Sequence, residues 1–451
     1  MSFRTTAILA ALLAVLGGIF YFTEVRGGKK DPDVAKRLFS AKADEVEALE
    51  LRTPKGEIAL RRDGDAWRME QPFTAKGDKM AIAGLLGALA SAKADRTLEE
   101  PPKDPADFGL DKPEVTVRFR VKGDAAWRRL DVGGKSPTGA WAYARKDEQP
   151  AVILVPEMLR AELQKSTLDL RDKSVMDVAA DKVARLVVHR GTQVVELQKG
   201  QQWELVRPVK ARADDWRASG LARRAAELKA KDFAAEPAKD LKPFGLDKPT
   251  VRLELWEKDA VAPKVLALAE AKDRRDALYA RHEGSMTVAV VDKAILADVP
   301  SGPWEIRDKS LFRYANKDVK RVRMAGAGVA VAVEREGESR WKVVEPAPGP
   351  ADERKVTDLL FKLTGLRVDG VAAERPDRLD RYGLDAPELT ITVTRTDGKE
   401  EGTLLVGKEE RDQRYVQLKG EAPVYTIAAK DLKDLPRTPD DFVEKKPEKK
   451  A

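Results

Sequence analysis

One hexapeptide recurs along this chain. FGLDKP lies at Phe108–Pro113 and again at Phe244–Pro249, and YGLDAP lies at Tyr382–Pro387. The copies begin 136 and then 138 positions apart, and other unlike residues keep nearly the same spacing. Chance does not preserve such an order, so the spacing predicts three tandem repeats, each the size of a small domain. The repeated residues are Trp67, Asp78, Phe108, Gly109, Leu110, Asp111 and Pro113 in the first copy, Trp203, Asp214, Phe244, Gly245, Leu246, Asp247 and Pro249 in the second, and Trp341, Asp352, Tyr382, Gly383, Leu384, Asp385 and Pro387 in the third.

The first part of each repeat has the pattern of a β-meander. In the first copy, an opening strand around Leu49 is followed by a strand at residues 58–62. The pair Asp63-Gly64 predicts a tight hairpin turn, since glycine accepts positive φ. Trp67 then opens a third strand, which Pro72 ends because proline cannot donate to a strand partner.

A helix is predicted after the meander. Asp78 is placed to cap it, and Ile82, Leu85, Leu86 and Leu89 follow at i, i+3, i+4 and i+7. A similar apolar spacing follows Asp214 and Asp352. We therefore expect one amphipathic helix in each repeat, with its apolar face packed on the sheet.

The FGLDKP motif is interpreted as a structural joint. Asp104 caps a single helical turn that Gly109 ends in the left-handed conformation, and Leu110 folds back on that turn. The next strand, residues 115–121, alternates apolar and polar side chains. The alternative is a ligand loop, repeated three times, that uses Asp111, Asp247 and Asp385.

These elements together predict an α+β protein. Further strands are expected around Leu130–Val132, Trp141–Arg145 and Val152–Val155, followed by a short helix near Pro156–Gln164. Each repeat is then a β-meander, one amphipathic helix and a second set of antiparallel strands. The predicted domains are a membrane anchor at 1–30, repeats at 44–175, 181–312 and 318–443, and a charged, disordered tail at 444–451.

The N-terminal segment is predicted to be a transmembrane helix. An uncharged stretch runs from Thr5 to Thr23, close to the length that spans a bilayer. A cleaved signal peptide and a buried helix are the alternatives. Arg26, Lys29 and Lys30 favour a cytoplasmic location for the downstream side, but long domains cross largely regardless of flanking charge. We expect a single pass through the inner membrane with the repeats on the extracytoplasmic, periplasmic side.

Composition excludes several classes of function. The 83 basic and 76 acidic side chains are mixed along the chain, which does not suit nucleic-acid binding. The absence of cysteine excludes disulfides, thiolate metal sites and thiol nucleophiles. His189 and His282 occupy non-equivalent positions and are interpreted as lone surface histidines. The glycines of MAGAGVAVAV, at 324–333, are interpreted as a hairpin turn. No catalytic, cofactor-binding or metal-binding residue is predicted, and the pairs Asp214-Asp215 and Glu99-Glu100 need no catalytic explanation.

The combined motifs resemble the bacterial domain of unknown function 4340. They are G-x-x-W followed by proline, then [FY]-G-L-D-x-P, then the L-x-V-G strand of Leu404–Gly407 and a strand that carries a tyrosine. The resemblance implies a location in the cell envelope beside ABC-type transporter components of the gliding-motility kind, and no catalytic residues. Ala269 stands where the other copies have Gly133 and Gly407, so we expect a modified loop in the second copy.

Three functions are considered. The first is a non-enzymatic, membrane-anchored scaffold or accessory arm that binds subunits of an ABC-type transporter. The second is a module that binds glycans or another envelope ligand through exposed tryptophans, namely Trp127, Trp141, Trp256 and Trp304. The third is a hydrolase with a deep pocket and perturbed carboxylates in one copy.

Overall fold

The computed structural model describes residues 37–98, 104–326 and 328–443. These residues form three antiparallel sheets of nine strands, one in each repeat, with the same strand order. In the first repeat the strands lie side by side in the order 75–76, 66–71, 56–63, 46–53, 115–121, 128–135, 141–146, 153–156 and 96–97. The described chain divides into two compact units after Ser174, with the second and third repeats in the same unit. The α+β class and the three tandem repeats are therefore confirmed, whereas the domain boundaries drawn from the sequence stay a prediction.

The strands of the three sheets are listed in chain order. In the first repeat they are β1 Val46–Thr53, β2 Gly56–Asp63, β3 Ala66–Gln71, β4 Ala75–Lys76, β5 Arg96–Thr97, β6 Val115–Val121, β7 Arg128–Lys135, β8 Trp141–Lys146 and β9 Ile153–Pro156. In the second they are β10 Val183–Arg190, β11 Gln193–Lys199, β12 Trp203–Arg207, β13 Ala211–Arg212, β14 Asp232–Ala235, β15 Val251–Glu257, β16 Lys264–Glu270, β17 Ala277–His282 and β18 Val288–Asp292. In the third they are β19 Val319–Gly326, β20 Val329–Glu336, β21 Arg340–Glu345, β22 Gly349–Ala351, β23 Gly370–Ala373, β24 Leu389–Arg395, β25 Glu400–Glu410, β26 Gln413–Leu418 and β27 Val424–Ala428.

The helices are short apart from one in each repeat. They are α1 Lys79–Ser91, α2 Glu157–Leu163, α3 Thr167–Leu170, α4 Asp215–Ala226, α5 Pro303–Ile306, α6 Glu353–Gly365 and α7 Ala429–Lys433. Single turns of 3-10 helix lie at Ala43–Glu45, Pro105–Phe108, Ala180–Lys182, Lys242–Phe244, Lys293–Ala297, Asn316–Asp318, Asp380–Tyr382 and Pro439–Phe442.

The two halves of each repeat form one continuous sheet. Strand β1 pairs with β6, with Leu49 opposite Phe119 and Leu51 opposite Val117. The second and third repeats are joined in the same way, through β10–β15 and β19–β24. The sequence predicted two β-rich halves, and it did not predict the two-residue strands β4 and β5. Strand β5 lies at the outer edge of the sheet beside β9, whereas the next strand, β6, lies at its centre beside β1. The chain between them contains the FGLDKP joint.

The long helix of each repeat covers one face of its sheet. Asp78 accepts hydrogen bonds from the amides of Met80 and Ala81, which confirms it as the N-cap of α1. Asp214 and Asp352 cap α4 and α6 in the same way. The predicted apolar face of α1 is buried in the first core. The predicted short helix near 156–164 is confirmed as α2, and the hairpin at 324–333 as the turn between β19 and β20.

The joint has the predicted local geometry in all three repeats. Gly109, Gly245 and Gly383 have φ of 67°, 65° and 69°, a region that favours glycine. The leucine that follows each glycine is buried and donates its amide hydrogen bond back to the start of the turn. Asp111, Asp247 and Asp385 are exposed, each in its own repeat. The strand after the joint begins two residues beyond each proline.

An aromatic pair holds each joint against its sheet. The ring of Phe108 lies edge-on to that of Tyr143, with centroids 4.7 Å apart. The pairs Phe244–Tyr279 and Tyr382–Tyr415 have centroid separations of 5.1 and 5.0 Å. Edge-to-face pairs at such separations are favourable beyond the area they bury. The conserved spacing of the motif and the tyrosine strand therefore reflects one packing contact.

A glycine lets the joint approach the sheet. A Cβ on Gly133 would overlap the carbonyl oxygen of Phe108, and a Cβ on Gly407 would overlap that of Tyr382. Both glycines lie where the strand register shifts, which marks a β-bulge. In the second repeat Ala269 takes this place and β16 pairs with β17 without a shift. The second copy therefore differs, but in its unbroken strand and not in a modified loop, since its joint keeps the geometry of the other two.

Two predicted segments lie outside the described residues. They are the anchor at 1–30 and the tail at 444–451, and the pair Glu99-Glu100 is outside as well. Within residues 37–98, 104–326 and 328–443, no helix combines the length and apolar character needed to cross a membrane.

Replacing Gly133 with alanine should destabilise the first repeat by about 1–3 kcal/mol, because the new Cβ meets backbone and cannot be relieved by a side-chain rotation. The measurement is thermal unfolding followed by circular dichroism. Gly87→Ala is the matched control, since Gly87 lies in α1 with open space around it and alanine favours a helix. Equal melting temperatures for the two variants would contradict the close-approach explanation.

Candidate binding site at the junction of the second and third repeats

One segment belongs to two repeats at once. Residues Arg307–Phe312, here called the connector, follow α5 directly. The Asp308 amide donates to the Arg212 carbonyl at 3.0 Å, within the second repeat. The Val368 amide, in the third repeat, donates to the Lys309 carbonyl at 2.9 Å. Because Leu311 and Phe312 are already buried in the third core, the connector closes one repeat and opens the next.

The connector carries a buried arginine. Arg307 is 2% exposed, and its Nη2 donates to Glu374 Oε2 at 2.8 Å. Its guanidinium lies 5.7 Å from the centroid of the Tyr425 ring. Its Nε is buried and meets no hydrogen-bond acceptor in the part of the chain that the structure describes. A buried donor left without a partner costs about 1–3 kcal/mol, so Glu374 and Tyr425 have to offset the burial of this charge.

The next connector residue is a buried acid. The Asp308 side chain is 8% exposed and forms ion pairs with Arg212 and Arg313. It also accepts a hydrogen bond from the Ser310 amide at 3.0 Å. Arg307 and Asp308 thus bind partners on both sides of the connector, and they hold the second and third repeats together through charge as well as backbone.

Three cavities adjoin Arg307. The first has a volume of about 900 Å³ and lies among Pro208, Arg212, Leu418 and Tyr425. The second, of about 440 Å³, includes Trp216 in its wall. The third, of about 330 Å³, has Trp304 and Val371 in its wall. Ligand pockets in proteins typically measure about 300–1,000 Å³, so the junction offers space for a ligand or a partner side chain.

The polar groups around the junction have fixed charge states. Burial raises the pKa of the Tyr425 phenol, which keeps it neutral. Hydrogen bonds from the Ser301 hydroxyl and amide lower the pKa of Glu305, which stays ionised. No group of three or more His, Asp or Glu side chains converges as a metal site within residues 37–98, 104–326 and 328–443.

The tryptophans expected to be exposed are half-buried. Trp127, Trp141, Trp256 and Trp304 all have this intermediate exposure, so that part of the ligand-binding hypothesis is wrong. The physical reason for three of them is a neighbouring cation. Arg118 lies 5.0 Å from the Trp127 ring, Arg185 lies 4.9 Å from Trp256, and Lys309 lies 4.8 Å from Trp304.

The exposed tryptophan is Trp216, which the sequence reasoning missed. Its side chain is 85% exposed at the second position of α4. The exposure of Trp216 could have been predicted from the helix periodicity, because the buried positions Ala218, Leu221 and Ala225 lie on another face of α4. The adjacent acids are structural: Asp214 caps α4, and Asp215 accepts a hydrogen bond from the Trp203 amide at 2.8 Å.

Both histidines are half-buried in the second repeat, although lone surface positions were expected. His189 Nε2 lies 3.0 Å from Glu254 Oε1 on the neighbouring strand. Burial lowers the pKa of His282, and Lys264 adds to the effect. Neither contributes to the junction.

The fold defines a structural class: an α+β protein of three nine-stranded repeats, of which the second and third share a connector. The family model "Domain of unknown function (DUF4340)" matches residues 67–204, 203–340 and 341–450, and the chain belongs to this family. Each matched segment begins at the tryptophan strand, β3, β12 or β21, and is therefore offset from the sheet that the chain forms.

Other comparisons add little. No curated protein matches the chain. A solved structure described as a DNA polymerase III beta subunit from Eubacterium rectale ATCC 33656 has 7% sequence identity over 88% of this chain and 94% of the other. Its TM-score is 0.15, and a likeness at that level carries no argument about fold or function.

Replacing Glu374 with alanine should destabilise the unit formed by residues 175–451 by about 1–3 kcal/mol, because it leaves the buried Arg307 guanidinium without its anion. Urea unfolding measures the loss. The control is Glu270→Ala, which removes a largely exposed pair with Lys293 and should change stability by less than about 1 kcal/mol. A loss no greater for the Glu374 variant than for the control would show that Arg307 does not depend on this pair.

The lowered pKa of His282 predicts a pH dependence. The folded protein holds this proton less tightly than the unfolded chain, whose histidine titrates near pH 6.5. The stabilisation is therefore complete above that pH and is lost as the pH falls below it. The variant His282→Gln should lose less stability than the wild type between about pH 7.5 and 5.5. Urea midpoints at the two pH values decide the matter, and parallel losses in both proteins would refute the assignment.

Proposed function

We propose that this chain is a non-enzymatic binding arm of the bacterial cell envelope. In this proposal residues 1–30 anchor it in the inner membrane, the repeats lie on the extracytoplasmic side, and the arm binds subunits of an ABC-type transporter. The observation that carries the proposal is the connector, because it joins the second and third repeats into one compact unit that bears several cavities.

The junction is suited to binding because its charged groups are already placed. Arg307 is held by Glu374, and Asp308 is held by Arg212 and Arg313. A surface ordered before contact loses less conformational entropy when a partner binds. Interfaces of this kind also use arginine and aromatic side chains more than other surfaces do. The junction contains both.

A second candidate function is a module that binds an envelope ligand such as a glycan. A cavity of about 530 Å³ on the first sheet favours it, because Trp127 lies in its wall beside Glu50, Thr116 and Arg129. The polar side chains of that wall can hydrogen-bond the hydroxyl groups of a sugar, while the Trp127 ring is already in contact with Arg118. Binding of labelled envelope glycan to the purified chain would support this candidate, and no retention at millimolar ligand would remove it.

The proposed function is tested by purifying the full-length chain from mildly solubilised membranes and identifying what accompanies it by mass spectrometry. We expect permease or ATPase subunits of an ABC-type transporter. The control is the chain without residues 1–30, which should not sediment with membranes. Recovery of the protein alone, or with envelope polymer only, would contradict the transporter partner.

A further inference from the structure

We propose that the surface around Trp216 binds an acidic segment of a partner protein that also supplies an apolar side chain. This surface, here called the Trp216 face, comprises Trp216, Arg217, Lys309, Arg313 and Arg367 around the cavity of about 440 Å³. The inference rests on the proposed role as a binding arm, and it names the surface and the partner chemistry.

Trp216 is the apolar part of the face. At 85% exposure its indole leaves a large apolar area in water and contributes nothing to the core of the second repeat. Tryptophan is among the residues that most often dominate the binding energy of protein interfaces. The first repeat has Met80 at the equivalent position of its helix, 80% exposed, and the third has Arg354. The indole is therefore particular to the second repeat.

The charges that reach solvent on this face are mostly positive. Arg217 and Arg367 are exposed, and Lys309 and Arg313 are half-buried. Two of the neighbouring acids are engaged within the protein, since Asp214 caps α4 and the Asp308 side chain, 8% exposed, pairs with Arg212 and Arg313.

The two acids that are exposed are already engaged. Asp215 accepts a hydrogen bond from the Trp203 amide at 2.8 Å, and Glu305 accepts one from the Ser301 amide, also at 2.8 Å. The walls of the cavity carry five cations against four carboxylates, which leaves a net charge of +1 on this face. An acidic segment is complementary to that surface.

Contacts within the protein also order the cations. Arg313 donates to Gln202 Oε1 at 3.0 Å, and Arg367 donates to the Ser310 hydroxyl. Lys309 is held beside the Trp304 ring. Because these side chains are partly ordered before contact, a partner carboxylate meets a preformed set of donors. The apolar side chain of the partner would then cover the indole of Trp216.

The test uses the purified full-length chain in mild detergent and a fluorescein-labelled peptide of twelve residues, four copies of Glu-Asp-Leu. Fluorescence anisotropy at low salt measures its affinity. A peptide of four Lys-Arg-Leu copies is the charge control. We expect the acidic peptide to bind about tenfold tighter than the basic one, with an affinity that falls as salt is added.

Two variants locate the binding. Trp216→Ala and Arg367→Glu should each weaken the acidic peptide about tenfold, whereas the matched control Met80→Ala should leave it unchanged. All three positions are exposed, so the variants are expected to fold, and circular dichroism checks this. Equal affinity for the two peptides, no binding at all, or wild-type affinity in Trp216→Ala would each overturn the inference.

The peptide assay needs no membrane partner, so it separates this inference from the proposed function. Loss of acidic-peptide binding in Trp216→Ala supports the Trp216 face whether or not a transporter subunit accompanies the wild-type chain. Absence of transporter subunits from the purified wild-type protein counts only against the transporter role. Transporter subunits that accompany wild type and Trp216→Ala equally would leave the proposed function standing and refute the Trp216 face as the docking surface.

Discussion

The backbone pairing of the connector is the interaction on which the arrangement of residues 175–451 depends. This segment of six residues donates a backbone hydrogen bond from Asp308 to Arg212 in the second repeat. It accepts one at Lys309 from Val368 in the third repeat. Repeats joined by a free linker would move independently, whereas this segment is a structural part of both. Its position also explains why an arginine and an aspartate are buried there, since each finds its partners among the residues on either side.

The close approach of the joint to its sheet is the second constraint, and in the first and third repeats a glycine at a β-bulge permits it. The chain leaves the outer strand, turns through the left-handed glycine of the joint and returns to the centre of the sheet. The turn has to lie against the strand that carries the paired tyrosine, and in the first and third repeats only glycine leaves room for it. In the second repeat Ala269 takes the place of this glycine, and the strand that carries it is unbroken. One packing contact is therefore preserved by two different strand geometries.

Much of the fold could be predicted from the sequence because its signals are local. Asp78 and Gly109 act on the residues next to them, and the apolar stripe of α1 is a property of one helix. The two-residue strands β4 and β5 carry no periodicity, and the pairing of β1 with β6 joins residues about 70 positions apart, so neither could be predicted in this way. The half-buried state of Trp127 depends on arginines from a neighbouring strand. The role of the connector was missed for the same reason, since both of its partners are distant in sequence. The membrane anchor stays a prediction.

Hydrogen–deuterium exchange of the full-length protein tests the central claim, that the connector is a shared structural element. The Asp308 amide donates from the connector to Arg212, and the Val368 amide donates to Lys309 of the connector. We predict that they exchange as slowly as amides of the central strands β15 and β24, because opening them requires the two repeats to separate. Exchange at the rate of the exposed loop around Val261 would contradict the account, since it would make the connector an ordinary linker.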